Sequence, residues 1–81
     1  MAAHPLIFHL VITEAGLFLV KRPGATWRTL QGEFEGYKTS MGPHAHHFFM
    51  ALIEHEWPAI YAEKSGAIRA FETSSETLLA L

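Results

Sequence analysis

Apolar positions in this chain keep a period of two near the start, take up a helical period in the middle and return to short runs at the end. From Leu6 to Ile12 the residues alternate, with Leu6, Phe8, Leu10 and Ile12 on one face and Ile7, His9 and Val11 on the other. That alternation predicts a strand buried on at least one side. Thr13-Glu14-Ala15-Gly16 supplies a turn, and Leu17 to Arg22 reads as a second strand, apolar on both faces until Lys21-Arg22, closing an antiparallel hairpin. Pro23-Gly24 has the form of a type II turn, with proline presetting φ and glycine accepting positive φ.

The stretch Met41 to Trp57 has the strongest helical pattern. On a wheel of about 100° per residue, Ala45, Phe48, Phe49, Met50, Leu52, Ile53 and Trp57 gather on an arc roughly 200° wide. His44, His47, Ala51, Glu54 and His55 fall on the opposite, wet side, and His46 and Glu56 point toward the apolar arc. Gly42 and Pro43 suit the N-cap and first helical positions, and Pro58 ends the run at Trp57, since a residue before proline leaves the α region.

Between hairpin and helix the pattern forks. Ala25 to Gln31 fits a third strand, with Trp27 and Thr29 opposite Arg28 and Leu30, or a short helix, because Trp27, Leu30 and Phe34 share helical spacing. Gly32 and Gly36 favour the strand, since each costs about 1 kcal/mol relative to alanine inside a helix. Residues 32–37 then form an irregular or strand-like loop carrying Glu33, Phe34, Glu35 and Tyr37. After Pro58, Ala59 to Glu63 and Ala67 to Glu72 flank Lys64-Ser65-Gly66 as a second hairpin. Thr73-Ser74-Ser75-Glu76 has capping-box form ahead of a closing helical turn ending at Leu81.

The expected fold is therefore α+β. An antiparallel sheet of four to five strands, β-β-(β)-α-β-β, carries one main amphipathic helix across a face and a short C-terminal helix. Its 81 residues make a single domain with a thin margin of stability, so every large apolar side chain is needed. Pairing with a second copy would relieve that margin and cover exposed strand edges.

Composition narrows the function mostly by subtraction. With no cysteine the chain has no disulfide and no thiolate metal site, which fits the cytoplasm. The apolar first twenty residues lack a basic leader and are interrupted by His4, Pro5, His9, Glu14 and Gly16, so they read as core strands rather than a signal or membrane segment. Six Lys and Arg against eight Glu leave a formal charge of -2, with the cations scattered; no groove for nucleic acid is implied.

The histidine cluster His44-Ala45-His46-His47 invites a metal reading. On one helix, His44 and His47 are a turn apart, His46 points about 160° away, and His55 lies roughly 12 Å further along the axis. A stable zinc site wants three or four ligands at about 2.0–2.2 Å, which only His4, His9 or glutamates from elsewhere could complete. A solvated histidine face explains the pattern without an ion, and a metal- or pH-responsive regulator is the alternative function. No nucleophile elbow, cysteine nucleophile or aspartate is present, and Glu54 and His55 are neighbours that diverge on a helix, so no catalytic residue and no cofactor are assigned. A buried Glu56 would be expected to pair with Arg28 or Arg69.

The surface that remains is a protein contact. The helix face with His44, His47, Glu54 and His55, together with the loop residues Glu33, Glu35 and Tyr37, is the expected partner-binding set, with Trp27 and Phe34 capping the core beside it.

The hairpin Gly16-Leu17-Phe18-Leu19-Val20-Lys21-Arg22, a helix, and a strand pair turning at Lys64-Ser65-Gly66-Ala67-Ile68-Arg69-Ala70-Phe71 are together similar to a family of small bacterial and phage β-β-α-β proteins, some anti-CRISPR proteins among them. The likeness runs from about Leu10 to Thr73 and lies in the rhythm of apolar residues and turns. The histidine-rich helix start and the apolar tail Leu78 to Leu81 depart from it, and no functional residue carries over. The resemblance implies a compact non-enzymatic protein of phage or mobile-element origin that occludes a protein of a bacterial defence complex.

Overall fold

The computed structural model describes residues 6–81. His4 and Pro5, which interrupt the apolar start, and with them His4 as a spare ligand, lie outside the described residues. Among those described, the order is β1 (Phe8–Thr13), β2 (Gly16–Lys21), α1 (Trp27–Glu33), β3 (Tyr37–His44), α2 (His46–Glu56), α3 (Pro58–Thr73) and β4 (Leu78–Ala80). The four strands form one antiparallel sheet in the order β3-β1-β2-β4, so the α+β class and the helix-covered antiparallel sheet stand.

The N-terminal hairpin forms as its alternation predicts. Phe8 pairs with Lys21, Leu10 with Leu19 and Ile12 with Leu17, and the Thr13 hydroxyl accepts from the Ala15 amide at 3.0 Å inside the turn. Pro23-Gly24 is a turn with Gly24 at φ +78°, in the left-handed region that a type II turn requires.

Apolar residues on both faces of this hairpin are explained by helices on both sides. On one face Phe8, Leu10, Leu17 and Leu19 pack against Phe49 and Ile53 of α2 and Ile68 and Phe71 of α3. On the other, Val11 and Val20 pack against Ala25 and Leu30, with Phe18, Phe34 and Tyr37 around them. The layers are therefore α1, the sheet, and the α2–α3 pair.

Four elements differ from the sequence expectation. Residues 25–31 are not a strand; the helical alternative forms, because Thr26 caps α1 by accepting from the Thr29 amide and Leu30 is fully buried. The helix is short enough to contain Gly32 and to end before Gly36, so the glycine cost is met once.

Residues 37–44, expected partly as loop and partly as the helix start, are β3. Gly42 and Pro43 cap no helix: Met41 still pairs with Leu10 and His44 with Phe8, and α2 begins at His46 behind Ala45. Two steps along β1, from Phe8 to Leu10, match three along β3, from His44 to Met41, so an extra residue is accommodated as a bulge at Gly42-Pro43.

The segment from Pro58 to Thr73 is one helix and not a hairpin. Ile60, Tyr61, Ile68 and Phe71 repeat at helical spacing toward the core, Pro58 occupies the first turn it is suited to, and Gly66 is an exposed interior position with open space beside it. The sequence expectation of one main helix gives way to two, α2 and α3, meeting at Trp57.

The C-terminal tail is likewise a strand. The Ser74 hydroxyl accepts from the Glu76 amide at 3.3 Å and donates to the Phe71 carbonyl at 3.1 Å, turning the chain out of α3. Leu79 then pairs with Leu19 on the sheet edge. Lys21 ties the two parts together, its ammonium donating to the carbonyls of Phe71 at 2.7 Å and Ser74 at 2.5 Å, where the α3 carbonyls lack helical partners.

Candidate functional site

The expected contact residues sort along β3. Among the described residues β3 is the last strand on its side of the sheet, and its outer edge runs from Tyr37 to His44 without a paired strand. At its start stand Glu33, Glu35 and Tyr37; at its end stands His44, followed at once by α2. The two halves of the expected set are thus brought to opposite ends of one edge strand, and they do not merge into one patch.

At the His44 end, His44 stacks on Phe48 with ring centroids 4.0 Å apart and 27° between the planes. The apolar arc places Phe48 in the core, yet it is 41% exposed: the sheet and α3 cover α2 along Phe49 and Ile53, and Phe48 falls at the margin of that cover. His47, Glu54 and His55 lie on the exposed side of α2 as anticipated. His44 belongs to β3 and not to that helix, so the one-turn spacing that would let His44 and His47 share an ion is lost. Among the described residues no group of three or more His or Glu side chains gathers as a metal site.

His46 is buried, as its direction on the wheel requires. One ring nitrogen, Nε2, lies 2.6 Å from the Ile68 carbonyl, so that nitrogen carries the proton and donates, linking the start of α2 to α3. Its other nitrogen faces a Glu72 oxygen at 3.7 Å. Glu56 is exposed beside His55 at 3.5 Å and meets neither Arg28 nor Arg69, since α2 ends at that residue and directs it to solvent.

At the Tyr37 end, Glu33 is paired with Arg22, and Tyr37 and Ser40 share a hydrogen bond of 2.7 Å between their hydroxyls. Phe34 caps the second core cluster against Phe18, with centroids 5.3 Å apart. Trp27 caps nothing: it is 55% exposed on α1, with the Arg28 guanidinium 5.3 Å from its ring.

Between α1 and β3 the surface forms a cleft of about 440 Å³, walled by Trp27 and Gln31 on one side and by β3 from Tyr37 to Ser40 on the other, with Gly42 and His9 completing it. Alternation places His9 in a strand without giving it a role. It is 3% exposed, and its Nδ1 is the buried side-chain nitrogen or oxygen among the described residues that lacks a hydrogen-bond partner. A polar residue inside an otherwise apolar alternating strand is the signal that could have found it.

Burial holds the His9 imidazole below its ordinary value of 6.5; the backbone of Ala25 and of Ile7 pulls it partly back, and the charges of Arg22 and His44 push it down again. A depressed histidine binds its proton less readily in the folded chain than in the unfolded one. This contribution to stability is therefore complete above 6.5 and declines as the pH falls below it, until the folded ring itself protonates. Denaturant midpoints taken between about pH 7.5 and pH 5.5 should fall on acidification, and fall less in His9→Gln; parallel slopes for the two proteins would remove His9 as the cause.

No described helix is long and apolar enough to cross a membrane. Set against known proteins, the chain matches no family model, no curated protein and no solved structure.

Proposed function

We propose that this chain is a small non-enzymatic protein-binding module that acts by covering a surface of its partner. The observation carrying this reading is the β3 edge with an exposed aromatic side chain on each flank: Trp27 across the cleft and Phe48 stacked on His44. Aromatic anchors of this kind supply most of the energy of protein contacts, and the surrounding polar residues mainly exclude water. His47, Glu54 and His55 beyond Phe48, and Glu33, Glu35 and Tyr37 beyond Trp27, are that polar surround.

Side chains, rather than backbone pairing, carry the contact. Both ends of β3 are irregular in register, Lys38 and Pro43 sit in them, and such features blunt a sheet edge against strand addition. In its most specific form the reading is of a cytoplasmic phage or mobile-element protein that occludes part of a bacterial defence complex, as the likeness in apolar rhythm implies. Association of two copies through the same edge is the competing use of this surface.

The test is affinity capture from a bacterial host with the native chain and with Trp27→Ala/Phe48→Ala, whose folding is verified by circular dichroism. The native chain should recover a protein that the double variant loses. Recovery of no protein, or of the same protein by both, would refute the reading, and light scattering reports self-association separately.

A further inference from the structure

The cleft between α1 and β3 has the makings of a site for a small molecule, independently of any protein partner. Its volume of about 440 Å³ lies within the range of ligand pockets and is several times what a bare inorganic anion fills. Its lining is selective in charge. In a chain with more Glu than Lys and Arg, the described residues lining the cleft include Lys38 and no Glu. The Gln31 amide adds hydrogen-bond donors, and the Trp27 indole adds a flat apolar wall.

The second observation is the His9 ring. Native interiors leave very few buried polar atoms without a partner, and each such atom marks a polar spot in the interior that a water or an ion can meet. Among the described residues that atom is Nδ1 of His9; it is itself enclosed, and the residue that carries it bounds this cleft, so the back wall there is polar. Nor does the β3 bulge meet the ring by accident: a Cβ on Gly42 would stand 2.8 Å from His9 Cδ2, so glycine alone lets the strand lie against the imidazole.

We propose that this cleft binds a small organic acid, a planar ring bearing one carboxylate, with Lys38 pairing the carboxylate, Gln31 hydrogen-bonding it and Trp27 covering the ring beside His9. A charged hydrogen bond is the strongest contact on offer and sets the preference for an anion. The indole sets the preference for a ring, because stacking and area burial need a flat apolar body that phosphate or acetate does not have.

Phenylacetate is a suitable probe, followed through amide and indole N–H correlation spectra of the full chain. Saturable shifts are expected at the Trp27 indole and at the Thr39 and Ser40 amides. Phenylacetamide, which keeps the shape and loses the charge, and the Lys38→Gln variant should each weaken binding by about tenfold, the equivalent of one lost charged hydrogen bond. Inorganic phosphate should leave the indole unmoved. The proposal is overturned if phenylacetate gives no saturable shift, if phenylacetamide or Lys38→Gln leaves the affinity unchanged, or if phosphate reproduces the response. Lys38 and the probe play no part in the capture experiment, so either reading can fail without the other.

Discussion

Phe49→Ala is expected to lower the stability of this protein by about 3–5 kcal/mol, while Phe48→Ala, one residue away, should cost less than about 1 kcal/mol. Phe49 is fully buried at the centre of the larger core cluster, with Phe8 and Leu10 of the sheet and Ile68 and Phe71 of α3 around it. Its ring also meets Phe48 edge-on at 5.3 Å and His44 at 5.7 Å. Removing it takes away the transfer free energy of a whole aromatic side chain and opens a cavity between a β-sheet and two helices that cannot easily collapse.

A folded chain of 81 residues has a total stability of roughly 4–12 kcal/mol, so the Phe49 variant lies near the limit of folding. Urea denaturation of both variants decides the matter. The helical arc from Met41 to Trp57 places both phenylalanines in the core and predicts similar losses. The structure, in which the sheet and α3 cover α2 along Phe49 and Ile53, predicts a wide gap. Equal midpoint shifts would mean that α2 turns Phe48 into the core as fully as Phe49.

The N-terminal hairpin is legible in the sequence because its information is local. Alternation, a four-residue turn and a Pro-Gly turn all lie within residues 6–24, and each agrees with the others. His46 is legible for the same reason, since its direction on the helix depends only on neighbouring positions. The elements that differ depend on distant pairing. Gly42-Pro43 suits a helix start as well as a bulge, and only the pairing of Met41 with Leu10 and His44 with Phe8 chooses between them.

Gly66 reads as a turn because glycine marks turns more often than helix interiors. The apolar spacing of Ile60, Tyr61, Ile68 and Phe71 outweighs it once there is a core for α3 to cover. The tail Leu78 to Leu81 is short enough to be helix or strand, and the free edge of β2 decides it. For the site, Glu33, Tyr37, His44 and His47 stand out as surface candidates from pattern alone. Trp27 reads as a core residue, and His9, Lys38 and Thr39 carry no signal of a shared wall, because a cleft between a helix and an edge strand exists only after both are placed.

Gly42→Ala is the second large effect, and it tests fold and cleft together. Gly42 has φ +133°, a conformation that an L side chain rarely adopts, and an added Cβ would lie 2.7 Å from the Phe8 carbonyl oxygen and 2.8 Å from His9 Cδ2. Neither contact relaxes by a rotamer change: one is backbone on the central strand, and the other is a ring packed in the interior. Strained backbone costs of order 1–3 kcal/mol and overpacking a similar amount, so a loss of about 2–5 kcal/mol is expected. The strain should be relieved where the structure is weakest, by lifting the bulge of β3 off β1, since β3 is an edge with no neighbouring strand on its far side among the described residues. Amide exchange should therefore accelerate at Thr39 to Met41 more than at Leu10 or Leu19, and phenylacetate should no longer move the Trp27 indole, because the wall carrying Lys38 has shifted. A Gly42→Ala protein as stable as the native chain, with unchanged protection along β3, would show that the close approach of this strand to His9 is not a feature of the fold.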